Sequence, residues 1–222
     1  MLTSKSLNFL FELSGNNDRD WFKSNKSRYE TDLKKPFEDF VGALMEAMKA
    51  SFEPDLVVDP KAAIYRIYRD VRFSKDKRPY KEHVSASISR FGRKNKEMPG
   101  YYLHVEPGML MFGGGAYFLE RPNLQKVRER IRQNPAAFQA IVENKGFNET
   151  FGDLRGERNK RLPKEFKSVE QEMPYIANKQ FYFMNEGPVE LALEDNAIEV
   201  LAAKLQEGKA LNEFLVDAML GS

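Results

Sequence analysis

The sequence contains no cysteine. Disulfides, thiol nucleophiles, iron–sulfur clusters and zinc sites built on Cys are therefore excluded. It also has no apolar run approaching the roughly 18 residues that a membrane-spanning helix needs. Met1-Leu2-Thr3-Ser4-Lys5 lacks the basic start and apolar stretch of a secretion signal. These absences point to a cytoplasmic protein with no membrane partner. Two common catalytic devices are missing as well. No Gly-x-Ser-x-Gly elbow occurs, and no Gly-Lys-Ser/Thr follows the glycine run Gly113-Gly114-Gly115, so neither a serine hydrolase elbow nor a P-loop is present. There is no internal repeat and no low-complexity linker. Neither sign of charge dominates, with 35 Lys and Arg against 33 Asp and Glu.

What is present describes an ordinary globular chain. The 222 residues are 41% hydrophobic and 31% charged, and at about 150 residues per domain a single domain over 1–222 is expected. A chain of this size buries about 70% of its unfolded surface and needs no staples.

The hydrophobic period changes along the chain. Leu7, Leu10 and Phe11 stand at helical spacing behind Thr3 and Ser4. Trp21, Phe22, Tyr29 and Leu33 suggest a second helix, in which the aromatics are core residues rather than base-stacking ones. Pro36 suits the first turn of a third helix, carried by Phe37, Phe40, Val41, Leu44, Met45 and Met48. From Ala62 to Arg69 the chain reads as a strand. Val84, Ala86 and Ile88 alternate with serines, which predicts a half-buried strand. Tyr101 to Glu106 and Met109 to Tyr117 flank the turn signal Glu106-Pro107-Gly108 and predict a hairpin. Helices follow around Leu124, Val127 and Ile131 and around Phe138, Ile141 and Val142. Residues 152–174 read as a long surface loop, 179–185 as one more strand. Leu201 to Met219 reads as helix with a break at Gly208. Helices, a block of strands, then helices again predict an α+β fold with a largely antiparallel sheet, its strands mainly within 61–118 plus one near 179–185.

The near-neutral total hides a block structure. Residues 61–100 carry 12 basic and 4 acidic side chains, while residues 186–222 carry 2 and 8. Within the basic block, Arg66-Ile67-Tyr68-Arg69-Asp70-Val71-Arg72-Phe73-Ser74-Lys75-Asp76-Lys77-Arg78-Pro79-Tyr80-Lys81 holds seven basic residues and two acids. On strand geometry Arg66, Tyr68, Asp70 and Arg72 share one face, and Tyr65, Ile67, Arg69, Val71 and Phe73 share the buried one. An Asp between two arginines orients guanidinium forks toward a phosphate or carboxylate; it serves equally as a structural ion-pair network. Arg69 on the apolar face requires either a bend or an acidic partner.

These sixteen residues resemble the signature of a mainly bacterial family known as domain of unknown function 2461. Its pattern Arg-x-x-Arg-Asp-x-Arg-Phe, then Asp-Lys-x-x-Tyr, is matched by Arg66, Arg69, Asp70, Arg72, Phe73, Asp76, Lys77 and Tyr80. Asn16-Asn17 with Arg19, Trp21 and Phe22, the run Gly100-Tyr101-Tyr102-Leu103-His104, and Gly113-Gly114-Gly115 are similar to it as well. Leu162-Pro163-Lys164-Glu165-Phe166 departs from it, lacking a glycine near position 165. The family is similar in length, so the resemblance spans nearly the whole chain. It implies no particular activity, cofactor or substrate.

Outside this segment, His104 and Glu106 stand two apart on a predicted strand and share a face with Tyr102, a pattern for two metal ligands or an acid–base pair. Asp70, Glu82, His83 and Glu120 are candidates for a third ligand, although nothing in the spacing demands metal and a hydrogen-bonded strand histidine is the plainer reading. Gly113-Gly114-Gly115 fits a bulge or tight turn better than an anion nest. Asp55 with Asp59 and Lys61 is rejected as a nuclease-type set, because Pro60 interrupts any strand carrying it. The leading expectation is binding of an anionic, phosphate-bearing small molecule by Arg66, Arg69, Arg72, Lys75, Lys77 and Arg78, with Asp70 orienting the arginines and Tyr80 lining the site. A hydrolase or phosphoryl-transfer enzyme using Asp70 or His104, with or without metal, is a second reading. A module docking an acidic protein is a third, and nucleic acid is disfavoured by a net charge of only +2.

Overall fold

The computed structural model describes residues 1–221. In chain order it has helices α1 (Ser4–Gly15), α2 (Arg19–Ser24), α3 (Lys26–Arg28), a π-helical turn (Tyr29–Lys34), α4 (Lys35–Ser51) and α5 (Pro60–Ala63). Strands β1 (Val84–Ile88), β2 (Gly100–Glu106) and β3 (Met109–Ala116) follow, then α6 (Arg121–Gln133), α7 (Pro135–Val142), α8 (Lys145–Phe151) and α9 (Lys167–Glu170). Strand β4 (Phe181–Gly187) precedes α10 (Ala197–Gln206) and α11 (Lys209–Leu220). The four strands form one antiparallel sheet in the order β1-β2-β3-β4, so the fold is α+β. No helix among the described residues is long and apolar enough to cross a membrane.

The chain divides into two compact units. The first comprises residues 1–88, 102–111 and 186–202. Its core follows directly from periodicity. Phe37, Phe40, Val41, Leu44, Met45 and Met48 of α4 are all buried, as are Phe9, Leu10 and Leu13 of α1. Burying one such side chain is worth about 1.5–3 kcal/mol, which outweighs the weak helix propensity of the phenylalanines. Ser6 is the one polar residue buried on α1; its Oγ donates to the Asp32 carbonyl at 2.6 Å and accepts from the Thr3 N–H at 3.2 Å. That single hydroxyl ties the α1 start to the π-helical turn. Gly108, at φ +85°, closes the β2–β3 hairpin where a side chain would be strained.

The second unit comprises residues 89–101, 112–185 and 203–221 of the described chain. The glycine run lies here, in β3 against β4. A Cβ on Gly113 would stand 2.1 Å from the Phe183 carbonyl oxygen, and one on Gly115 2.3 Å from that of Phe181. The glycines are there for close backbone approach. Arg128 of α6 is buried without a carboxylate partner among the described residues. Its guanidinium donates to the carbonyls of Ile176, Ala177 and Asn178 at 2.9, 3.4 and 3.0 Å.

Three expectations are corrected. Residues 62–69 form no strand: Asp59 Oδ1 accepts the Ala62 N–H at 3.1 Å and starts helix α5, after which only the bridges Ile64–Ala86 and Tyr68–Tyr80 form. The pairing changes partner, from Ser85 at Tyr65 to Pro79 and Lys81 at residues 67–69, so no continuous ladder builds. Residues 152–174 are not a simple surface loop. They are bridged at Arg155–Tyr182 and Arg158–Asn178, contain α9, and bury Leu154, Leu162, Phe166 and Met173. Phe73, assigned to the buried face, is 94% exposed, because extended geometry ends before it.

Candidate functional site

The basic segment is a paired loop of the first unit. Arg69 N–H donates to the Pro79 carbonyl and Lys81 N–H to the Ile67 carbonyl, both at 2.8 Å. Residues 70–78 thus form the tip of a hairpin-like excursion. Its root is held from the N-terminal helices. Asn17 mimics a neighbouring strand: its Nδ2 donates to the Tyr80 carbonyl at 3.1 Å, and its Oδ1 accepts the Tyr80 N–H at 3.1 Å. The Tyr80 ring is buried, stacked 4.0 Å from Phe22 and tilted 5.4 Å from Tyr68. Tyr80 therefore anchors the root of the loop, away from its tip.

At the tip the same device occurs twice. In Asp70-Val71-Arg72 and in Asp76-Lys77-Arg78, Oδ1 of the aspartate accepts both the backbone N–H and the Nε–H of the arginine two residues on. A second fork bond runs from Nη2 to Oδ2 at 2.7 Å in each pair. This bidentate geometry keeps the guanidinium planes in place. Arginine bonding holds the Asp70 carboxyl down to about 2, and hydrogen bonds from Arg78, then Arg69, hold Asp76 well below the usual carboxylate range. The partner of Arg69 is Asp76, at 2.7 Å and only half-buried. Arg78 also reaches Glu82 at 2.6 Å, and Lys77 donates to the Val71 carbonyl at 3.1 Å.

The expected exposed face persists in part. Arg66, Tyr68, Asp70 and Arg72 are all exposed, while Ile67 is buried. Arg66 feels the Asp70 charge, but among the described residues neither its side chain nor that of Lys75 makes a hydrogen bond or ion pair. Arg72 is 76% exposed and lies 5.8 Å over the Phe73 ring.

A second cluster lies in the same unit. Strand alternation places Tyr102, His104 and Glu106 on one face of β2. The Tyr102 hydroxyl is 3.2 Å from His104 Nδ1, and His104 Nε2 is 3.0 Å from Glu106 Oε2. Ser85 of β1 is buried close to Tyr102, whose phenol burial raises above its ordinary pKa. His83, one residue ahead of β1, stacks on His104 with ring centroids 4.2 Å apart. Burial pushes its imidazole down to about 4, helped by His104 and by Lys81. Of the four side chains considered as partners for His104 and Glu106, the fold brings His83. Asp70 is held by Arg72, Glu82 by Arg78 and Asn17, and Glu120 stands at the start of α6 in the second unit. Asp59 is spent as a helix cap. What sequence reasoning missed is the role of Asn17 as the backbone partner of Tyr80. Its signal was its place in the Asn16-Asn17 pair that resembles the family pattern.

The fold and its two clusters define an α+β protein with a cation-rich loop and a histidine pair in one unit. The profile of a family described as conserved hypothetical protein (DUF2461) matches residues 5–214, and the chain belongs to that family. No curated protein and no solved structure matches the chain significantly.

Proposed function

We propose that the protein binds an anionic, phosphate-bearing ligand at the tip of the loop formed by residues 66–81. The observation that carries this reading is the Asp70–Arg72 fork. Asp70 holds Arg72 by its Nε and Nη2 edge and leaves a side chain that is 76% exposed. An arginine fixed in this way loses less rotamer freedom on binding, so more of each charge-assisted bond appears as affinity. Arg66 and Lys75 add cations not committed to internal pairs, whereas Arg78 and Arg69 are engaged with Asp76. Phe73 offers an aromatic face to the part of the ligand beyond its phosphate. Asp70 itself, ionised and doubly bonded, suits orientation rather than proton transfer.

The test is calorimetric titration with pyrophosphate and ATP at about 50 and 150 mM salt. Arg72→Ala should weaken binding about tenfold or more while leaving the melting temperature within a few degrees. Asp70→Asn should weaken it less, by releasing the fork. If both variants instead unfold the protein, or if the wild type binds neither probe, the loop is architecture and the reading fails.

A further inference from the structure

We propose that His83, His104 and Glu106 form a binding site for one divalent transition-metal ion, of the zinc or cobalt(II) type. The inference is independent of the anion site. The chain has only two histidines in 222 residues, and the fold stacks them against each other. One donor atom from each ring and one oxygen of Glu106 lie within 4.8 Å of one another. Two ligands about 2.1 Å from a shared ion stand about 3.0–3.4 Å apart at right or tetrahedral angles. His104 Nε2 and Glu106 Oε2 already stand at 3.0 Å. The two rings are stacked only 27° from parallel, so binding one ion in both ring planes requires the His83 side chain to turn out of the stack toward it.

The donor chemistry narrows the ion. Two imidazole nitrogens and one carboxylate oxygen suit Zn²⁺, Co²⁺ or Ni²⁺, whereas Mg²⁺ and Ca²⁺ prefer all-oxygen shells. Three protein ligands leave a coordination position for water or a substrate oxygen, and the Glu106 side chain is partly exposed. The supporting shell is also in place. When Nε2 of His104 takes the metal, the proton it shared with Glu106 moves by exchange with water to Nδ1. Nδ1–H then donates to the Tyr102 oxygen, and the Tyr102 hydrogen turns to Ser85, which is buried beside it. Ligating histidines are typically oriented by such a bond from the other ring nitrogen. Lys81 is the opposing charge; its ammonium lies 5.0 Å over the Tyr65 ring.

The experiment uses untagged full-length protein, stripped with a chelator and titrated with Zn²⁺ by calorimetry and with Co²⁺ by visible absorption. One equivalent per chain is expected to bind. His83→Gln and Glu106→Gln should each weaken zinc by about 100-fold or more, and Tyr102→Phe by about 10–100-fold, with unchanged far-UV circular dichroism. Should the His83 variant fail to fold, Glu106→Gln and Tyr102→Phe still decide the matter. Folded wild-type protein that binds neither ion below about 1 mM overturns the proposal. So does unchanged affinity in the folded ligand variants, since the cluster would then be a hydrogen-bond chain.

Discussion

At the half-buried His83, desolvation outweighs the nearby Glu106 carboxylate and favours the neutral imidazole, with a consequence for stability. Its pKa is depressed from 6.5 to about 4, by burial first and then by the His104 ring and the Lys81 ammonium. A depressed base contributes stability that is present above its unfolded value and is lost as pH falls through the folded one. Metal-free protein should therefore lose stability between about pH 6.5 and 4, by about 1–2 kcal/mol once partial solvent screening is allowed for. Urea denaturation across that range checks this, and His83→Gln should flatten the profile. Equal slopes in the two proteins would assign the acid sensitivity elsewhere. Arg69 makes a different point at the same scale. Its place on the inward face was readable from alternation, but its partner Asp76 was not, because the intervening tip had to fold first.

The basic loop shows how an element depends on a distant side chain. Its two legs share few backbone bonds, and Asn17 supplies the missing partner for Tyr80 from 63 positions away. Removing that amide leaves a backbone donor and acceptor unsatisfied in a partly buried place. Asn17→Ala should cost about 1–3 kcal/mol, read as a shift in the urea midpoint. It should also raise protease sensitivity at the loop tip; a silent variant would mean that the Phe22–Tyr80 stack alone holds the root. The elements that sequence reading placed well were the periodic ones, such as α4, β1 and the β2–β3 hairpin. Residues 62–69 misled because aromatic and β-branched composition says that a chain is extended, not that it finds one continuous partner.

For the whole molecule, a net charge of +2 coexists with a strongly basic 61–100 block and an acidic 186–222 segment. Three of the block's twelve basic residues, Arg69, Arg72 and Arg78, pair with three of its four acids, Asp70, Asp76 and Glu82, so its net positive excess remains. Within the loop, Arg66, Arg72, Lys75 and Lys77 keep exposed cationic groups, Lys77 donating only to a backbone carbonyl. Binding of a short single-stranded oligonucleotide by these loop cations alone should give a log–log salt slope of about −3. Fluorescence anisotropy at several salt concentrations measures it. A slope steeper than about −5 would recruit basic residues well beyond the loop and replace a small phosphate ligand with a polyanion.

The sequence by itself determined the class of fold, the family signature and the positions of the strongly periodic elements. It also marked the exposed Arg66, Asp70 and Arg72 face and the His104–Glu106 pair. These are local properties: apolar spacing and strand alternation act over a few residues. Only the tertiary structure decided that His83 stacks on His104, that Asn17 anchors Tyr80, that Phe73 stands in solvent, and that the glycine run serves strand packing. Each of these depends on which distant backbone becomes a neighbour and in what register, and that is set by the packing of the chain as a whole.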